Sequence, residues 1–475
     1  MLILLLCVTQ KVLDLKYGKL TFSVRGEKCM DTIGNIHTKS WNTLLFFILS
    51  ALVISSIAVL FWPGYMSPDS IGQFNQSLAN NYSDHHPPMM SFCWKMFNYI
   101  YTGSQVYFLF QLLLLFSSVC IFQTIVKESW LKFAIALLPF VPNVAAYSGA
   151  IWKDISFAYA FLLAGMLLTK SNILSQKLTL PKIILILLLL IYGVGVKYQA
   201  QFVLPVMGLW LGLTLTDSKL NVKAILIGVA TTIFVIFFVF LFNKSLVHVE
   251  KEQHAWQMVK LYDLAGISVR VGKNLLPEFV TSQENFSMDS VKKLYSPERV
   301  DELMKDWYPG APLSRAKDEK ERNLLWSTWM SAVVHHPIAY FSHRFSLWFN
   351  MVSKSPIKSV NQLSNFDNVP AKTKFVLRHV GDTFFSLIRE LSRFVLMLPF
   401  VFAYLFWGGY LYKKNSPYGL ALLMMNLAGL SLLLALFIFS MAADLRYIYL
   451  STCFLFFSHP IAFLALRALL PGAPR

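Results

Sequence analysis

The 475-residue sequence reads as an all-α polytopic membrane protein of about ten transmembrane helices. Three observations predict this. The chain is 56% hydrophobic with a mean hydropathy of +0.53, and only 14% of it is charged, against about 25% in an ordinary soluble protein. Apolar runs long enough to cross a bilayer recur along it. The Lys and Arg residues also cluster in alternate short loops between those runs, as membrane insertion requires.

Residues 1–40 form a polar, basic N-terminal segment on the cytoplasmic side. Its apolar opening octet, MLILLLCV, has no basic flank before it and is too short to span, so it reads as a mis-set start or a surface-lying segment rather than a signal peptide. Spans are predicted at 41–62, 104–126, 131–147, 152–169, 182–196, 200–215, 223–243, 393–412, 418–440 and 447–467. They form an N-terminal transmembrane module (41–243) and a C-terminal one (393–475). Between the modules lies a polar insertion, 244–392, holding 16 of the 25 acidic residues, so it is expected outside the bilayer and largely solvated. Its fragment 341–350, FSHRFSLWFN, keeps an aromatic character suited to a membrane surface. The loop 63–103 contains segment 89–101, which has Lys95 in its middle and is too short to cross; it reads as an interfacial helix.

Seventeen Lys/Arg fall in the segments that lie inside when the N-terminus is cytoplasmic, and four (Lys95, Lys153, Lys197, Arg446) in the short outer loops. One choice controls this count. Residues 182–215 form either two short spans turning near Lys197 or one long kinked helix, and the single-helix reading would put Lys197 in lipid, where an unpaired lysine is costly. Two spans are therefore expected. The net charge of +17 is explained by this loop bias, so no nucleic-acid partner is indicated. The five cysteines are scattered and form no CxxC pair, which points away from a disulfide framework or a zinc site.

Outside the insertion only nine acidic residues remain, and four of them, Asp69, Asp84, Asp154 and Asp444, fall on the predicted outer side. Three of the four outer cations sit next to outer motifs: Lys153 beside Asp154, Arg446 two residues after Asp444, and Lys197 in the turn VKYQAQ with Gln199 and Gln201. Positive charge outside runs against the insertion bias, so an anionic ligand such as a lipid phosphate would account for it. Each group also has a structural reading. Asp69 would cap a helix starting at Ser70, and Lys153–Asp154 would be a local charge pair. Asp444 and Arg446 would anchor an interface, and Gln199 and Gln201 would satisfy the turn backbone or bind sugar hydroxyls. The tripeptide Asp84-His85-His86 would orient an acceptor or, with further ligands, hold a divalent cation; adjacent His side chains seldom face one point.

The order of these features, with the pieces WPGYMSPDSIGQFNQSL, YSDHHPPMM, SGAIWKDISF, LYDLAGIS, HPIAYFSHRF and DLRYIYL, resembles the GT-C superfamily of integral membrane glycosyltransferases, in a largely uncharacterised bacterial branch. The resemblance covers roughly residues 41–460. It implies a polyprenyl-phosphate sugar donor, a glycan, lipid or protein acceptor, and an active site on the periplasmic or extracellular face of the bacterial inner membrane. It also implies a catalytic carboxylate early in the first outer loop, here Asp69, without the paired acidic motif of some branches. Lys153, Asp154, Lys197, Gln199, Gln201, Asp444 and Arg446 would then surround the donor. The alternative is a lipid-linked sugar transporter or flippase; the chain shows no internal repeat of the kind such proteins carry.

Overall fold

Among the described residues the apolar runs fold as helices, because a backbone surrounded by hydrocarbon must satisfy its own hydrogen bonds. The computed structural model describes residues 28–247, 249–251, 254–284, 286–355 and 390–470. The opening octet, part of the basic N-terminal segment and residues 356–389 of the insertion lie outside them. The chain divides into two units, Met1–Leu45 and Phe46–Arg475, and the helical bundle belongs to the second. In chain order come α1 (Lys28–Phe61), α2 (Pro68–Ala79), β1 (Tyr82–Ser83), α3 (Met89–Asn98), α4 (Gln105–Gln123), α5 (Ser129–Ala136) and α6 (Pro142–Ser148). Next are α7 (Lys153–Ile173), α8 (Leu180–Val196), α9 (Ala200–Leu215), α10 (Val222–Leu241) and β2 (Val249–Lys251). The insertion contributes α11 (Trp256–Val271), α12 (Glu278–Thr281), α13 (Met288–Leu294), α14 (Glu319–His335) and α15 (Pro337–Ser353). Three helices close the chain: α16 (Leu398–Lys413), α17 (Gly419–Phe439) and α18 (Tyr449–Leu469).

Among the described residues, six helices are long and apolar enough to cross a membrane: Leu44–Phe61, Gln105–Gln123, Val222–Ser245, Phe394–Lys413, Gly419–Phe439 and Leu445–Leu469. A seventh candidate is broken. Ser129–Phe140 and Pro142–Ser148 meet at 49°, where Pro139 and Pro142 remove ladder hydrogen bonds. The other three expected spans differ in kind. α7 carries Lys153, Asp154 and Lys170 within its 21 residues, while α8 and α9 are shorter apolar helices.

α7 is the centre of the bundle. It is buried along nearly its whole length and packs against α4, α8, α9, α17 and α18. Its contacts also fix the direction of the next two helices. Lys197, in the turn after α8, pairs with Asp154 at the start of α7. Trp210 and Thr214, near the end of α9, hydrogen-bond Asn172 at the end of α7. α8 and α9 therefore run antiparallel, turning at Lys197 as the two-span reading expects. α9 and α10 then approach unusually closely. A side-chain carbon on Gly212 would sit 2.1 Å from the Ala224 carbonyl oxygen, and one on Gly228 would sit 2.9 Å from Leu209 Cα. Small residues four apart on both helices (Gly208 and Gly212, Ala224 and Gly228) permit this, which is how helices associate where lipid offers no hydrophobic drive.

Within the insertion, α15 has two unlike faces. Ile338, Phe341, Phe345 and Phe349 are exposed, while His343, Arg344, Leu347 and Met351 are buried. The Phe341 ring lies 5.4 Å from Phe437 of α17, so the exposed aromatic stripe continues the apolar surface of the bundle, in keeping with a segment lying along a membrane surface. The expectation of a largely solvated insertion is corrected for α11, whose residues Leu261 to Ile267 are almost wholly buried. Segment 89–101 is also more than interfacial: Trp94 of α3 is fully buried and stacks on Tyr107 at 4.8 Å.

Candidate functional site

The scarce charged groups meet at one end of the bundle. The exit from α1 is fixed first. Gly64, at φ +85°, closes the turn with its amide on the Phe61 carbonyl at 2.6 Å; a conformation at positive φ favours glycine. Tyr65 then pairs with the 149–151 loop, its amide donating to Gly149 (3.0 Å) and its carbonyl accepting from Ile151 (3.0 Å). Trp152 Nε1 donates to Ser67 Oγ at 2.8 Å, and Ser70 Oγ donates to the Ile151 carbonyl. These bonds lock the start of α2, which carries Asp69, to the start of α7, which carries Lys153 and Asp154.

Asp69 is not the helix cap that its sequence suggests. α2 begins two residues earlier than expected, at Pro68 rather than Ser70, with Ser67 in the capping position and no side-chain capping bond. Asp69 lies in the first turn, and its carboxylate accepts from Arg446 Nη2 at 2.9 Å. His86 Nε2 lies 3.7 Å from its other oxygen, and about a third of the Asp69 side chain stays exposed. Burial pushes its acidity down, but the His86 imidazole facing it and the Lys153 and Arg446 charges outweigh that, holding the carboxyl well below the usual range.

Arg446 is the hub. Its guanidinium reaches Asp69, Asp444 (2.9 Å) and Asp154 (3.9 Å), and it faces the rings of Trp152 (4.8 Å) and Tyr447 (5.4 Å). Asp444 also caps the 3₁₀ turn Leu445–Ile448 through the Arg446 amide at 3.1 Å. Beneath this layer, Lys197 pairs with Asp154, both side chains at most 2% exposed, and its ammonium lies 4.6 Å from the Tyr447 ring. An anionic ligand would reach Lys197 only by breaking that pair.

Lys153 differs. Its ammonium donates to His86 Nδ1 at 2.6 Å, and among the described residues no carboxylate lies within 4 Å of it. The bond requires that Nδ1 carry no proton, so His86 is the neutral Nε2–H tautomer, pointing its N–H toward Asp69. Burial first, and the Lys153 charge second, push His86 down to about 4 against the upward pull of Asp69. An unfolded His titrates near 6.5, so the unfolded chain takes up the proton first as pH falls. The linked stability is intact above about pH 6.5 and lost progressively down to about pH 4. Thermal melting of purified protein from pH 8 to 4 should therefore show an acid-side decline that is shallower in His86→Gln; equal slopes would contradict the depressed titration of His86.

The Asp84-His85-His86 tripeptide divides its tasks. Asp84 accepts from the His254 amide at 3.0 Å, and its carbonyl accepts from Tyr198 OH at 2.7 Å. With the parallel β1–β2 pair, this ties the first loop to the insertion. The His85 ring lies 4.5 Å from that of His86, tilted by 55°, and burial holds its pKa down. Among the described residues, no group of three or more His, Cys, Asp or Glu side chains is arranged to hold a metal ion. Gln199 stands half-buried before α9 without a side-chain capping bond, and Gln201 is exposed; neither joins the charged cluster. The far end of the bundle carries a separate pair, Arg467–Glu128 at 2.6 Å, about 30 Å away along α18 at 1.5 Å per residue.

A second buried cluster, Asp263, His343 and Arg344, lies within the insertion; the sequence offers His343-Arg344 as groups that could reach the site, but nothing in it pairs them with Asp263. Asp263 and Arg344 are both fully buried, with Nε to Oδ1 at 2.6 Å. No family model, curated protein or solved structure matches this chain.

Proposed function

We propose that this chain is a membrane glycosyltransferase, with ten helices crossing a bacterial inner membrane and the charged cluster on the outer face. It would move a sugar from a polyprenyl-phosphate donor to an envelope glycan, lipid or protein acceptor. The observation that carries this reading is the pairing of a part-exposed carboxylate, Asp69, with a neighbouring cation, Lys153, whose bonded partner is a neutral imidazole. Lys197 and Arg446 are paired directly with Asp154, Asp444 and Asp69, whereas Lys153 has no carboxylate within 4 Å among the described residues, so it is the cation best placed to meet an anionic leaving group.

In the proposed reaction Asp69 takes the proton from an acceptor hydroxyl, the hydroxyl oxygen bonds to the anomeric carbon, and the bond from that carbon to the phosphate oxygen breaks. Polyprenyl phosphate leaves with the electron pair, stabilised by the Lys153 ammonium. A carboxylate held strongly acidic is a poor base at rest. Donor phosphate bound at Lys153 would improve it by offsetting that cation's charge, since a weaker neighbouring cation raises the proton affinity of Asp69. As Asp69 is neutralised, the Arg446 charge becomes available to the phosphate.

The test is binding of a polyprenyl-phosphate sugar to protein in nanodiscs. Lys153→Met is expected to weaken it about 10- to 100-fold, the worth of one charge-assisted hydrogen bond to an anion. Asp69→Asn should bind at least as tightly as the parent. Unchanged affinity in Lys153→Met would contradict the assignment.

A further inference from the structure

The insertion does more than stand beside the site, because it grips the segment that delivers Arg446. Residues 440–443 run from the end of α17 toward Asp444 and Arg446, and the insertion bonds them at three successive points. Arg344 Nη1 donates to the Ser440 carbonyl at 2.6 Å. The Val300 amide donates to the Met441 carbonyl at 3.1 Å, and the Ala443 amide donates to the Glu298 carbonyl at 2.6 Å. Arg299 and Ala442 form an antiparallel bridge between them.

Arg344 is held from behind. Its Nε lies 2.6 Å from Asp263 Oδ1, and Trp329 Nε1 donates to Asp263 Oδ2 at 2.8 Å. His343 Nε2 lies 3.3 Å from Asp263 Oδ1, with its Nδ1 bonded to Tyr295 OH at 2.8 Å. α11 and α15 press together here, since a side-chain carbon on Gly266 would sit 2.3 Å from His343 Nδ1. A fully buried ion pair contributes little net stability over an apolar replacement, so its use lies in the geometry it fixes.

We infer that Arg344 is a positioning residue for the site: anchored on Asp263, it holds the Ser440 carbonyl and thereby sets where Arg446 meets Asp69. This rests on the reading of Asp69 as the base. The insertion then forms part of the frame of the site as well as its cover.

The experiment compares Arg344→Gln with the parent, full-length in nanodiscs, by three readouts. Hydrogen exchange in the 440–446 peptide should rise. Transfer should lose about tenfold to a hundredfold in kcat, the scale of a misplacement near 1 Å, with KM for the donor within about twofold because Lys153 is untouched. The acidic limb of kcat/KM should move up as Arg446 loosens from Asp69. Adding the pair Arg299→Cys and Ala442→Cys, oxidised, should restore kcat and the pH limb by re-fixing the segment. Because the variant could fold poorly, kcat is normalised to the fraction that binds donor. Unchanged exchange at 440–446, or parent kcat with an unmoved acidic limb, would overturn the inference. The exchange result does not depend on what Asp69 does, so full activity in Asp69→Asn would sink the functional reading without touching it.

Discussion

Asp69→Asn should abolish sugar transfer, lowering turnover by about 10²- to 10⁴-fold, the usual worth of a positioned general base. The amide has nearly the same shape as the carboxylate and cannot take a proton. Arg446 keeps Asp444 at 2.9 Å, so the hub retains a partner and the fold should survive. Asp69 is also about a third exposed, which limits its worth as a stabilising pair. The measurement is transfer of labelled sugar in nanodiscs, with a melting curve on the same sample. Near-parent turnover would reduce Asp69 to an anchor for Arg446.

The second large effect concerns the layer beneath. Removing one partner of the Lys197–Asp154 pair, as in Lys197→Met or Asp154→Asn, should cost about 3–5 kcal/mol, because the remaining group is left buried and uncompensated. The pair docks the α8–α9 turn on the start of α7, where both side chains are at most 2% exposed. Replacing both by apolar residues, Lys197→Met with Asp154→Leu, should be much milder, since no charge is then stranded. Thermal unfolding in detergent of the two singles and the double gives the coupling directly. A parent-like melting point in Lys197→Met would mean that other contacts seat the turn.

That the scarce charged residues gather at one end of the bundle was legible because charge is so rare in this chain. Lys197 had to mark a turn, as a lysine in lipid is costly, and the turn is where the structure has it. Partner identity was not legible: Asp69 and Arg446 are 377 residues apart, and nothing local distinguishes Asp69 from a helix cap. The cap position instead went to Ser67 because Pro68 suits the first turn of α2. The role of Lys197 was hidden likewise, since sequence placed it outside but not beneath the surface. His343-Arg344 stood out in the sequence, but its pairing with Asp263 was not legible, because Asp263 is one of the 16 acidic residues of the insertion and all read alike as solvated. The close approach of α9 and α10 did leave a signal, in Gly208, Gly212, Ala224 and Gly228.

The central claim, that this cluster transfers a sugar to the cell envelope, is tested most directly by mass spectrometry of envelope glycans from cells with the protein, without it, and with Asp69→Asn in its place. The account predicts that one glycan loses the mass of a single sugar in the second and third samples alike. Identical glycans in all three would contradict it.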